Sequence, residues 1–241
     1  MSTLKATTIE PATGTDITLG TTGDTVAVTG NTLVLDTWKD AGGNTLFVSN
    51  GSGTLSSVDS EFMGAGPKLI LTQEGGGGSS VTFSSNIDNT YDTYMFVLTR
   101  IQCSVNGEDL NVNFSQTGSF SSENMTSTMF IAQLDQNDAN GQVVYQSNAD
   151  LTTAASQKFA DSSQLGNESD ENLSSIMYLW TPSSTSYVKQ FNFRSAAKGK
   201  VPGSTSAYVG GYIMTTSAIT QVQFAPSSGT FVGKISMYGV I

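Results

Sequence analysis

Carboxylates are the side chains in this sequence best suited to catalysis, because the chain contains no histidine and one cysteine. Ser-His-Asp catalysis and Cys/His zinc sites therefore lack the residues that they need. The segment "FADSSQLGNESDEN" supplies Asp161, Glu168, Asp170 and Glu171. Glycoside hydrolysis needs two carboxyl groups about 5 to 9.5 Å apart, one of them with a raised pKa. Serine and asparagine surround these carboxylates and offer no apolar walls, so the segment is interpreted as a solvated loop and no catalytic residue is assigned.

Cys103 is the next candidate for chemistry. It lies in the apolar run "YMFVLTRIQC", which is typical of a small buried hydrophobic residue and not of a nucleophile. A single cysteine also excludes a disulfide within the chain.

A second group of oxygen ligands occurs in "LDQNDANGQ", which contains Asp135, Asn137, Asp138, Asn140 and Gly141. A calcium loop places ligands at positions 1, 3 and 5, glycine at 6 and glutamate at 12, and this spacing is absent here. Asn140-Gly141 instead favours a hairpin turn. The sequence therefore predicts neither a metal site nor a cofactor.

Aromatic side chains offer a binding function instead of catalysis. Trp180, with Tyr178 and Tyr187 nearby, is compatible with a carbohydrate-stacking platform. A tryptophan in an apolar segment such as "SSIMYLWTP" more often packs in a core or an interface, and this is the preferred interpretation. Trp38 is interpreted as an anchor between chains. The sequence assigns no receptor-binding residue.

The shortage of basic residues argues against two classes of partner, nucleic acids and anionic membrane surfaces. Charged residues make up 12% of the chain, and its formal net charge is −10. Ten lysines and arginines scattered over 241 residues do not form the basic stripe that nucleic acids require. Anionic membrane surfaces are disfavoured for the same reason. No segment resembles a signal peptide or approaches the roughly 18 apolar residues of a membrane span, so we expect synthesis in the cytoplasm of the producing cell.

The elements that would position these residues are strands. Residues 1–62 contain short apolar pieces separated by Thr-Gly, Gly-Asp and Gly-Asn, as in "GDTVAVTGNTLVL", and predict a β stalk intertwined with partner chains. A joint follows at residues 60–67, where glycine and proline interrupt regular structure. Gly75–Gly78 is interpreted as a flexible hairpin tip.

Residues 63–241 contain ten to eleven predicted strands with turn-rich connections, which is typical of a β-sandwich or jelly roll. "DTYMFVLTRIQCSV" is expected to cross the core, and the final "GTFVGKISMYGVI" is expected to close the sheet. A brief helix is considered only within "NADLTTAASQKFADSSQLG".

Several segments taken in order resemble a known family. "YDTYMFVLTRI", "SSIMYLWTPSSTSYVKQFNFRS" and "YVGGYIMTTSAITQVQFAPSSGTFVGKISMYGVI" are similar to a domain of virion proteins from tailed bacteriophages of marine bacteria such as cyanobacteria and SAR11. "MSTLKATTIEPATGTDITLGTTGDTV" and "WKDAGGNTLFVSNGSGTLSSV" resemble the beginning of fibre-like proteins from such phages. The resemblance covers nearly the whole chain, and none of its segments is catalytic.

The resemblance implies a non-enzymatic fibre or other appendage of a phage particle, in the form of a homotrimer. The N-terminal region would bind other virion proteins, and the C-terminal jelly-roll-like domain would bind a glycan or protein of the host surface. The alternative is a decoration or head-fibre protein on the capsid shell, because a stalk of about 60 residues is short for a fibre. A glycan-cleaving tailspike is a third hypothesis.

Overall fold

The computed structural model describes residues 37–40, 42–49, 51–52, 55–58, 66–138, 141–160, 165–199 and 203–240. The chain divides into two compact units, Met1–Gly64 and Ala65–Ile241. All regular secondary structure of the described residues is β. The all-β prediction is therefore confirmed.

The N-terminal unit contains the strands β1 (Thr37–Lys39), β2 (Thr45–Ser49) and β3 (Leu55–Val58). They form a three-stranded antiparallel sheet of order β1-β2-β3. The turn between β1 and β2 is held by the Asp40 carboxylate, which accepts hydrogen bonds from the Asn44 amide N–H at 2.8 Å and the Asn44 side chain at 2.9 Å. The rings of Trp38 and Phe47 pack 5.6 Å apart between centroids. Short strands, as predicted for residues 1–62, occur among the described residues of this unit, whereas residues 1–36 lie outside the described residues. Intertwining with partner chains stays a prediction.

The C-terminal unit contains thirteen strands. They are β4 (Lys68–Glu74), β5 (Val81–Phe83), β6 (Thr93–Cys103), β7 (Leu110–Ser115), β8 (Met125–Asp135), β9 (Gln142–Tyr145), β10 (Leu151–Ala154), β11 (Gln157–Lys158), β12 (Asn172–Trp180), β13 (Lys189–Lys198), β14 (Gly203–Ile213), β15 (Gln221–Pro226) and β16 (Phe231–Val240).

Two antiparallel sheets form this unit. The larger has nine strands in the order β10-β8-β14-β13-β12-β6-β16-β4, with β9 also paired to β8. The smaller has the order β11-β7-β15-β5. The pairs β6–β16, β7–β15, β8–β14 and β12–β13 are nested in sequence, as in a jelly roll. The sheets are nonetheless of unequal size, and the jelly-roll assignment stays a prediction.

Phenylalanines from the two sheets meet in one core. Phe96 of the larger sheet lies 5.4 Å from Phe83 and 5.6 Å from Phe224 of the smaller sheet, measured between ring centroids. Phe114 and Phe191 form a second contact across the layers at 5.4 Å. Burying each ring stabilises the fold by about 1.5–3 kcal/mol. The two sheets are thus packed face to face, and the β-sandwich prediction is confirmed.

β6 and β16 occupy the positions expected of a core strand and a closing strand. β16 lies between β6 and β4 and pairs with both. A bulge interrupts the pairing with β6 between Val232 and Lys234. Gly233 has φ = 128° there, and Arg100 of β6 has φ = 55°. The bulge accounts for the irregular alternation of apolar residues in the last segment, because it shifts the register within the strand.

The glycine run does not form the tip of a hairpin, so that prediction was wrong. β4 and β5, on either side of the run, belong to different sheets. The Gly75 amide donates to the Gly233 carbonyl at 2.9 Å, and the Gly77 amide donates to the Phe231 carbonyl at 3.0 Å. A Cβ on Gly75 would lie 2.9 Å from the Phe231 ring. The run is therefore a tight corner between the sheets that packs on β16.

The brief helix considered near residue 150 was also wrong. β10 and β11 lie in that segment, one in each sheet. Phe159 is fully buried there, with its ring centroid 4.3 Å from that of Phe193. The buried Gln157 side chain bonds to the Ser127 hydroxyl and donates to the Ala149 carbonyl at 3.1 Å. The segment links the two layers at one edge.

Candidate binding surface

The solvent-facing side of the nine-stranded sheet, here called the outer face, carries unusually many aromatic residues. An antiparallel sheet with one wet face normally alternates apolar residues inward with polar residues outward. Inward positions of the central strands are buried as expected. Many outward positions are instead apolar. The central residues of the outer face include one charged side chain, Arg194, and no carboxylate. These residues are Thr128, Phe130, Ile176, Tyr178, Trp180, Gln190, Asn192, Arg194, Tyr208, Gly210 and Tyr212.

A ridge crosses the outer face at right angles to the strands. Ile176, Arg194, Tyr208, Phe130 and Tyr145 are successive register partners on β12, β13, β14, β8 and β9. The Arg194 guanidinium lies 5.4 Å from the centre of the Tyr208 ring. The Tyr208 and Phe130 rings stack 4.9 Å apart with an interplanar angle of 6°. These contacts hold the guanidinium in place at the surface.

A second row of residues lies beside the ridge and forms the floor of a groove. Tyr178, Asn192, Gly210 and Thr128 are register partners on β12, β13, β14 and β8. The depression lined by this row and the ridge has a volume of about 570 Å³. An arginine, an amide and tyrosine rings therefore surround one open groove.

The tryptophan predicted for a core or interface lies on this outer face. The Trp180 ring is half-buried and stacks with Tyr178, their centroids 6.1 Å apart and their planes inclined by 13°. Tyr187, the third residue of the suggested platform, is 75% exposed on the following loop. Trp180 and Tyr178 are thus brought together at the surface. Sequence reasoning missed Arg194 and Tyr208, whose alternation with buried neighbours was the available signal.

The acidic cluster is a structured loop, and Asp161 lies outside the described residues. Glu168 and Asp170 are exposed, as predicted for a solvated loop. Glu171 contradicts that prediction: it is only 6% exposed, and its carboxylate accepts a hydrogen bond from the Glu168 amide at 2.9 Å. Asp170 pairs with Lys198 at 2.8 Å. The hydrogen bond from Lys198 lowers the pKa of Asp170.

The segment considered for calcium connects β8 and β9, which pair antiparallel as in a hairpin, and the predicted Asn140-Gly141 turn lies partly outside the described residues. Gln133 pairs with Gln142 across it, and the Asp138 amide donates to the Asp135 carbonyl at 3.0 Å. Asn140 lies outside the described residues. Within the described part of the chain, no group of three or more acidic or cysteine side chains is placed to hold a metal ion.

Cys103 is buried, as predicted, with 1% of its surface exposed. Burial raises the pKa of its thiol to about 11, and the nearby Glu108 and Asp109 carboxylates add to the shift. The thiol is therefore protonated at neutral pH and lacks the thiolate character of a nucleophile.

A buried lysine was missed by sequence reasoning. Lys189 is fully buried at one end of β13, and its ammonium donates to the carbonyls of Tyr187 at 3.1 Å and Thr215 at 3.4 Å. Desolvation lowers its pKa, and the negative charge of Glu123 partly opposes this shift. Its inward position before Phe191 in the alternating β13 pattern was the available signal. Lys189 joins two loops at the end of the sandwich.

No protein-family model, no curated protein and no solved structure matches this chain. Across the described segments, the structure contains no helix long and apolar enough to span a membrane.

Proposed function

We propose that this chain is a structural protein of a bacteriophage virion, a tail fibre-type appendage that binds the host surface. Its N-terminal unit attaches to other virion proteins, and its C-terminal sandwich presents the outer face to a host glycan or protein. The aromatic outer face is the observation that supports a binding role. Tyrosine, tryptophan and arginine are enriched at recognition sites, and a contiguous apolar patch on a soluble domain marks an interaction site.

We infer further that the appendage is a homotrimer. The low charged fraction of 12% and the apolar residues left exposed at the β9 edge support association of chains. Several copies on one particle would bind the host together, so a weak single site would suffice through avidity.

The proposed role is adhesive and not enzymatic. The described members of the acidic cluster support this, because Glu171 is engaged by a backbone amide and Asp170 by Lys198. Both carboxylates thus stabilise the local loop structure. A glycan-cleaving tailspike would instead need two carboxyl groups converging on a groove.

The proposal is tested on virions and on the purified chain. An N-terminal epitope tag is located by gold labelling, and the purified chain competes with particles for adsorption to host cells. We expect label on the tail and dose-dependent inhibition of adsorption. Label over the capsid lattice, with no inhibition, would instead support a capsid decoration or head-fibre protein. Particles without the chain would refute both virion assignments.

A further inference from the structure

The groove on the outer face has a wall and a polar floor. The wall is the ridge that contains Arg194 and Tyr208. Beyond the floor lies the row in which Gln190, Tyr212 and Thr126 are register partners. This row and the ridge are four residues apart along β14, so their backbones are separated by roughly 13 Å.

Gly210 in the floor is not required by the fold. It lies in the middle of β14 without a positive φ, and a Cβ built on it would meet no atom within 4 Å. The neighbouring Gly211 differs, because its Cβ would lie 2.5 Å from the Thr126 carbonyl oxygen. Glycine weakens a strand interior and often marks the close approach of a ligand. The open space above Gly210 leaves room for a ligand to approach the backbone of β14.

The polar side chains of the floor are not used by the fold. Among the described residues, the side chains of Asn192 and Thr128 form no hydrogen bond, although both lie on ordered strands. Asn192 offers an amide donor and acceptor, and Thr128 offers a hydroxyl. These groups match the hydroxyl groups of a sugar, while the half-buried Tyr178 ring offers an apolar surface for its C–H face.

The charge of the groove selects the type of saccharide. The ion pairs formed among the described residues join Lys158 to Asp109, Lys198 to Asp170 and Lys234 to Glu74, so none includes Arg194. The central set of outer-face residues includes no carboxylate. Two carboxylates further along the sheet are already engaged: Asp150 accepts a hydrogen bond from the Tyr145 hydroxyl at the β9 end of the ridge, and Glu74 on β4 pairs with Lys234. A guanidinium binds a carboxylate through two parallel hydrogen bonds. The unpaired Arg194 is therefore complementary to a carboxylated ligand.

We propose that this groove binds an acidic saccharide, with Arg194 pairing with a uronate-type carboxylate above Gly210. The inference rests on the proposed function and adds the class of host ligand to it. A second copy of this chain is the competing occupant. The unused amide and hydroxyl groups of the floor favour a saccharide, because leaving them unpaired in a buried protein interface would be costly.

The test is binding of the full chain to an array of carboxylated, sulfated and neutral oligosaccharides, followed by titration of the bound members. We expect carboxylated members to bind, with affinity that falls as salt is added. Arg194→Gln should weaken binding about tenfold or more, and Arg194→Lys should weaken it less. Gly210→Val should abolish binding because it fills the floor.

Ala196→Val is the matched control, because Ala196 is an exposed residue of the same face, one row beyond Arg194 on β13. It should leave the dissociation constant unchanged. Equal melting temperatures of the valine variants show that both fold. An array on which no member binds, or only neutral or sulfated members bind, overturns the proposal. The proposal is also overturned if Gly210→Val changes the oligomeric mass and retains saccharide binding, because the groove would then bind a second copy of the chain.

The failure of this inference is distinguishable from failure of the proposed function. If no oligosaccharide of the array binds but the purified chain still blocks adsorption, the acidic saccharide is refuted as the ligand and the adhesive role stands. Absence of the chain from virions refutes the adhesive role whatever the array shows.

Discussion

At the scale of single residues, burial determines the chemistry of Cys103. Burial raises the pKa of its thiol from the ordinary value of 9.0 to about 11 in the folded protein. A raised acid pKa contributes stability that is fully present below pH 9 and is lost as the pH rises through 11. Wild type should therefore lose stability relative to Cys103→Ala between pH 9 and 11. Urea unfolding of both proteins at pH 8, 9 and 11 measures this difference. A constant difference would contradict the burial of the thiol.

Residue types predicted the surroundings of some side chains and not of others. The apolar run around Cys103 was sufficient to predict its burial. Glu171 and Lys189 were missed because charged residues are rarely buried unless paired, and their partners are distant or belong to the backbone. The Lys189 ammonium, for example, donates to the Thr215 carbonyl, a contact that no local pattern reveals.

At the scale of elements, two glycines inside strands of the same sheet should respond oppositely to alanine. A Cβ on Gly233 would lie 2.7 Å from the Arg100 carbonyl oxygen, and φ is 128°. Gly233→Ala should therefore lower the free energy of unfolding by about 2–3 kcal/mol. Gly210→Ala, in open space, should raise it by roughly 0.5–1 kcal/mol. Denaturant titration measures both changes. An unchanged free energy of unfolding in Gly233→Ala would show that the bulge does not require glycine.

Most strands were predictable, since alternation and β-branched residues mark them, and the long apolar β6 was the clearest example. The errors came from pairing partners. Glycines flanked by two strands normally suggest a hairpin, and only the tertiary structure reveals that β4 and β5 join different sheets. β10 and β11 are short and polar, and they are strands because Phe159 and Gln157 anchor the segment between the layers.

At the scale of the whole molecule, the free edge of β9 is the described feature best suited to self-association. Val143 is 72% exposed and Tyr145 57% exposed, and β9 pairs only with β8 among the described strands. Exposed apolar edge strands readily pair with other chains. We expect wild type to have three times the chain mass of 25.3 kDa. Val143→Lys should shift this mass toward the single chain.

Val232→Lys is the control for this change, because Val232 is 46% exposed on β16, a strand paired on both sides. Native mass spectrometry of the three proteins gives the result. A monomeric wild type would refute the homotrimer, and a trimeric Val143→Lys variant would exclude the β9 edge as the contact.

The residues of the candidate groove could not be predicted as a group from the sequence, because they are far apart along the chain. The ligand-facing residues come from four strands that are separated in sequence by as many as 82 positions, as Thr128 and Gly210 illustrate. The sequence contained the Tyr178–Trp180 pair, because both residues lie on one strand. Arg194 and Tyr208 became evident only when the register placed them together in the adjoining row.

The position of β16 also has a consequence for synthesis on the ribosome. β16 is the strand between β4 and β6, so β4 has no neighbour in its sheet until residues 231–240 have emerged. Until then the apolar edge of β6 is open to other nascent chains. Pairings that join residues so far apart also form slowly. Folding of the sandwich should therefore be largely post-translational, with chaperone binding concentrated on the exposed β6 segment.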